Sequence, residues 1–278
     1  MTRRKRSLTV FVVCWASCLL VRFAQAQQRA TVSHAAAVAK LSKQLLWHDE
    51  ATQKQYLAVR DQVTQQTLHE IDSFISDSYQ PATATADAVK AGLDGLLGYK
   101  SRDALKNVSF LVNLPGGRFL ITGIELRRGG GNFAEDAISF RAYGQSGGKF
   151  VLVAHIEDFH SSDAGNPFVY SFYCEPLPAP PVIGEFWFLA LAAANIQAPP
   201  MIAMRLYAFD GEKFRAVWSP QDIMCEGPKS AVRFTSSGFV VNTLFDPTGM
   251  APHSPTVAVH TQYTLSSDGP HEVAKWKN

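Results

Sequence analysis

Three groups of residues in this chain have types and spacings that could do chemistry. His155-Ile-Glu157-Asp158-Phe-His160 is the densest cluster of metal-ligating side chains. On a strand, side chains alternate, so His155 and Glu157 share one face while Asp158 and His160 share the other. A catalytic zinc needs three protein ligands and an open position. Spacing supplies no third ligand, so a solvated strand end is the competing reading. Arg141 and Arg205 stand 64 residues apart in matching contexts. As functional groups they would form an anion-binding ring about a shared axis. As structural groups they would pair with neighbouring carboxylates or lie over an aromatic ring. Cys174 and Cys225 are an even pair that an oxidising compartment would allow to bond; the alternative is two separate buried thiols.

Other chemistry finds little support. There is no Gly-x-Ser-x-Gly elbow and no His-Glu-x-x-His. The run Arg127-Arg128-Gly-Gly-Gly131-Asn132 lacks the Gly-Lys-Ser/Thr and the following helix of a phosphate cradle, and reads as a β-loop. Asp210-Gly211 and Asp268-Gly269 lack the alternating ligands of a calcium loop and read as hairpin turns. Asn107-Val-Ser109 fits a glycosylation acceptor. No cofactor is implied.

The elements that must position these residues repeat. Arg141-Ala-Tyr143 leads to Gly148-Lys149-Phe150, and Arg205-Leu-Tyr207 to Gly211-Glu-Lys213-Phe214, with nine residues from Arg to Phe in both. A Gly-x-Phe strand precedes each, at Gly117-Arg-Phe119 and Gly184-Glu-Phe186. A looser third copy holds Gly238-Phe239, Tyr263, Asp268-Gly269 and Trp276, and lacks the Arg. With an apolar run ahead of each Gly-x-Phe, every unit holds about four strands, over about 108–160, 167–220 and 229–276. Such similarity suggests stacked or radially arranged units. Four antiparallel strands look like a propeller blade, although propellers use four blades or more. The expected fold is mainly β: an antiparallel meander of about three four-stranded blade-like repeats, propeller-like or sandwich, over 107–278. A helical segment, 27–106, precedes it. There apolar residues recur at three- and four-residue steps, and Gly98 caps a shorter helix from Asp87 to Leu97.

Residues 1–26 read as a secretory signal. Arg3-Arg4-Lys5-Arg6 heads an uncharged apolar core of 14 residues, Leu8 to Val21, and Ala24-Gln25-Ala26 is a cleavage site. No later stretch is long enough to span a membrane. The expected location is secreted or periplasmic. Without the signal, 21 basic residues face 24 acidic ones. That balance removes the basic footprint of a nucleic-acid binder. Residues 27–106 carry nine of each sign, unlike a membrane-surface helix. The loops 128–135 and 246–255 join second to third strands of their units, which would place them on one face. The expected function is non-enzymatic binding of a protein or glycan through such loops or at a free sheet edge. The alternatives are a hydrolase of envelope polymers or glycans, and an assembly protein that forms homo-oligomers through its N-terminal helices.

Overall fold

A computed structural model describes residues 32–44, 50–98, 107–128, 135–160, 169–194, 201–220, 223–225, 228–245 and 257–277. Residues 1–26, which the sequence reads as a signal, and most of the loops 128–135 and 246–255 lie outside these residues. The helices come first: α1 at 32–44, α2 at Glu50–Ser78 and α3 at Ala86–Leu97. No Gly or Pro interrupts α2, and Pro81 follows its end. Leu68, Ile71, Phe74 and Ile75 fall on one face of α2 and are buried. Thr85 caps α3 by accepting from the amide of Ala88, and Gly98 closes it in the left-handed conformation. His34 ties α1 to α2, with Nδ1 3.0 Å from Glu70 and Nε2 3.6 Å from Asp77.

Strands follow in three antiparallel sheets. The first holds β1 (Asn107–Leu114), β2 (Gly117–Arg128), β3 (Glu135–Ser146) and β4 (Lys149–His160) in sequential order. The second holds β5 (Val169–Pro176), β6 (Phe186–Ala194), β7 (Met201–Phe209) and β8 (Phe214–Trp218), and the short β9 (Ile223–Met224) adds to β7. One turn of helix, α4 (Pro228–Ala231), leads to the third sheet. Its strands are β10 (Val232–Phe234), β11 (Gly238–Phe245), β12 (Val257–Ser266) and β13 (Gly269–Lys277). Each sheet is open rather than closed on itself. No helix among the described residues is long and apolar enough to cross a membrane.

The alternation of side chains along each strand builds successive layers. Leu120, Ile124, Leu126 and Tyr143 of the first sheet pack under the helices with Ile71, Phe74, Val89 and Leu93. Its opposite face carries Ile138 and Phe140 against Phe188, Ala190 and Tyr207 of the second sheet. The far face of the second sheet sends Trp187, Leu189, Met204 and Leu206 against Phe239 and Val241 of the third. Aromatic rings dominate the middle layer: Phe140 lies 4.9 Å from both Phe188 and Tyr207. Each such pair contributes about 0.5–1.5 kcal/mol beyond the area it buries.

The repeat is physical in its second half. In every sheet the pairing of third and fourth strands shifts at the tyrosine: Tyr143, Tyr207 and Tyr263. The extra residue of each bulge is a valine, Val153, Val217 or Val273, ten positions after its tyrosine. Each tyrosine also faces the preceding layer, so the helices occupy for the first sheet the place that a sheet occupies for the others. The Gly-x-Phe similarity does not keep this register. Leu120, Phe188 and Phe239 are the residues opposite the three tyrosines. The three glycines serve different needs. Gly117 and Gly184 have φ of +127° and +88°, which favour glycine. At Gly238 a Cβ would lie 2.0 Å from the carbonyl oxygen of Tyr263.

Candidate functional site

The residues singled out in the sequence are mostly committed to structure. Arg141 is buried and forms a two-point pair with Asp72 of α2, at 2.7 Å and 2.5 Å. Its remaining nitrogen donates to Ser139 at 3.2 Å and Glu157 at 3.3 Å. The hydroxyl of Tyr143 donates to the same Asp72 at 2.8 Å. Burial alone would lower the Arg141 pKa, but the hydrogen bonds and charge of Asp72, Tyr143 and Glu157 outweigh it and the value rises. Burial, with the Asp72 charge, holds the Tyr143 phenol well above its usual range. This network bolts the helix layer to the first sheet.

Arg205 lies in the next layer, on the face of the second sheet that meets the first, and donates to the carbonyl of Met204 at 3.1 Å. The two arginines therefore sit in successive layers, and no ring about an axis forms from them. Thr261, buried, holds the equivalent place two residues before Tyr263. Of the His/Glu/Asp group, Glu157 accepts from Arg141 and from Gln65 at 2.9 Å, and the exposed His155 lies 3.4 Å from Glu157. The side chains of Asp158 and His160 lie outside the described residues. No group of three His, Cys, Asp or Glu among the described residues could hold a metal.

Cys174 and Cys225 are buried and not bonded to each other in this structure. They occupy opposite faces of the second sheet, Cys174 toward the first sheet and Cys225 toward the third. Asn107 is 2% exposed, with its amide on Asp94 at 2.6 Å, which leaves no room for a glycan.

A different cluster is assembled on the outer face of the third sheet. Asn242 of β11, His260 of β12 and Trp276 of β13 stand directly opposite one another across three strands. The Asn242 amide nitrogen donates to the carbonyl of Ser230 at 2.7 Å. Its oxygen therefore faces His260 Nδ1, 2.8 Å away. An amide oxygen only accepts, so Nδ1 carries a proton, and in the neutral ring Nε2 holds the lone pair. Nε2 is enclosed and has no hydrogen-bond partner among the described residues. The imidazole stacks on Trp276, with centroids 5.4 Å apart and planes at 24°.

Beside this stack is a pocket of about 170 Å³, lined by Cys225, Ser230, Asn242, Thr243, Leu244, Ala258 and His260. None of these carries a full charge unless His260 is protonated. Nucleophilic catalysis needs a thiol or hydroxyl in hydrogen-bond contact with its base. Neither Cys225 nor Ser230 makes that contact with His260 Nε2. The arrangement is thus a mainly apolar recess, uncharged among the described residues, beside a partly exposed indole. In the sequence His260 is one of eight histidines, with no neighbouring motif to mark it. Only the strand register places it between Asn242 and Trp276. Comparison with family models, curated proteins and solved structures finds no match to this chain.

Proposed function

We propose that the protein is a secreted or periplasmic, non-enzymatic binding module, with three blade-like sheets as its scaffold. The observation that carries this reading is directional. Each sheet is a sequential meander, so first-to-second and third-to-fourth connections leave one end and second-to-third connections leave the other. The sheets run in phase: β1 lies near β5, β4 near β8 and β8 near β13. A Cβ on Gly184, in the β5–β6 loop, would lie 3.1 Å from Pro115 in the β1–β2 turn. The strand ends at Arg128, Ala194 and Phe245 consequently lie at one end of the stack. The pocket beside Asn242 and His260 lies at that same end of the third sheet.

Convergent connections on a rigid scaffold are where recognition concentrates. Assembly through the N-terminal helices is less well supported, because the apolar stripe of α2 is spent on the first sheet. The deciding experiment is calorimetric titration with panels of glycans and peptides, combined with product analysis and NMR mapping. The expected result is saturable binding with shifts gathered at Asn242, Thr243, Ala258 and His260, and every panel member recovered intact. Turnover of a panel member would replace this reading with the hydrolase.

A further inference from the structure

We propose that the third sheet is a terminal cap, whose outer face ends the stack and keeps the protein a single copy without a fourth sheet or a second chain. The matched tyrosines align the three sheets residue by residue. One, three and five residues before each tyrosine, side chains point away from the preceding layer. In the first sheet these are Ala142, Phe140 and Ile138, buried against the second. In the second sheet they are Leu206, Met204 and Ile202, buried against the third. In the third sheet they are Gln262, His260 and Ala258, and all three are partly exposed. The last sheet thus places two polar residues and one small one where its equivalents are apolar throughout. The central cross-strand pair changes in the same sense. Phe140 faces Gly123 and Met204 faces Leu191, but His260 faces Asn242.

The face is also closed over its own apolar centre. Val240, the equivalent of Ile121 and Leu189, stays apolar but is only 2% exposed, so it has almost no surface left for a partner. Arg233, opposite Val240 on β10, and His271, opposite Thr264 on β13, are exposed on the same face. Trp276 and Val273 are the large apolar groups left to solvent there, both on the edge strand β13. The opposite end of the stack is finished likewise. α2 spends its apolar stripe on the first sheet and turns Asp61, Gln62, Gln66 and His69 to solvent. Stacked repeats need end units with polar outer faces, because an ordinary repeat at the end would leave a layer-sized apolar surface in water.

The test gives the third sheet the residues of the second: Ala258→Ile, His260→Met and Gln262→Leu together. Mass is followed by light scattering over a wide range of concentration, and the Trp276 indole signal by NMR. The parent is expected to remain a monomer throughout. The triple variant is expected to double in mass as concentration rises, since two identical faces close on each other as a symmetric pair, and its Trp276 signal should shift as it does so. A control carries three leucines at exposed turn positions, Glu212→Leu, Ser236→Leu and Ser267→Leu, and should stay a monomer. Gln262→Leu alone, expected to associate more weakly, keeps the test decisive if the triple variant melts early. A parent oligomer of any kind overturns the proposal. So does a folded variant that stays a monomer, or a control that associates as readily as the triple variant. None of these outcomes depends on what the connections of the scaffold bind.

Discussion

Arg141 and Asp72, 69 residues apart in the chain, meet in a fork-to-carboxylate pair whose side chains are 5% and 16% exposed. Removing one partner of a buried pair leaves the other uncompensated, at about 3–5 kcal/mol. Arg141→Ala should therefore lower the stability measured by urea unfolding by that amount. Arg141→Lys should recover only part, since an ammonium cannot make both contacts. The triple change Arg141→Met, Asp72→Leu and Tyr143→Phe, which also removes the hydroxyl that donates to Asp72, should cost less than Arg141→Ala. Equal losses for single and triple variants would remove the pair from the account.

Phe74 tests whether the helices hold the fold or an oligomer. Its ring is 1% exposed and meets His34 and Tyr79 edge-on at 6.2 Å and 5.7 Å. Phe74→Ala opens a cavity under the first sheet and should cost about 3–5 kcal/mol. Mass by light scattering should not change below the unfolding transition. Dissociation of an oligomer without loss of stability would restore the assembly role.

Tyr173 provides a titration with a defined sign. Its hydroxyl donates to Glu175 at 2.5 Å, and that bond, then burial, pushes the phenol up to about 12. The folded value lies above the unfolded one, so the contribution to stability is full below about pH 10. It is lost as pH rises through the folded value. Ultraviolet titration should show one tyrosine ionising near 12 that moves down in Glu175→Gln. An unmoved midpoint would break the assignment.

The two unbonded thiols predict indifference to reductant. Burial pushes the Cys174 thiol well above its usual range, and Cys225 is 2% exposed. Buried thiols of this kind are inert. The native chain should leave a thiol reagent unconsumed and melt at the same temperature with and without dithiothreitol. A drop in melting temperature on reduction would mean that the two cysteines are bonded.

Local pattern made much of this fold legible. The three meanders, the helical segment before them and the Gly98 cap all follow from turn residues and periodicity, which act over a few positions. The matched tyrosines were visible, and their bulges explain why their spacing recurs. The Gly-x-Phe likeness misled, because strands rich in Phe produce it without shared register. Asp72 as the partner of Arg141, and the alignment of Asn242, His260 and Trp276, depend on tertiary packing and on register across long links. No local rule carries that information. Cysteine parity likewise could not show that the two thiols face opposite layers.

The second sheet has no solvent face over most of β6, Phe186-Trp-Phe-Leu-Ala-Leu-Ala, because even-numbered positions serve one layer and odd-numbered positions the other. A segment so apolar has nowhere stable to wait until both neighbours are in place. The middle of the molecule should therefore be the last part able to fold alone and the first to aggregate when a neighbour is missing. Truncation from either terminus would convert a cooperative stack into a sticky intermediate, so this architecture couples completeness of the chain to its solubility.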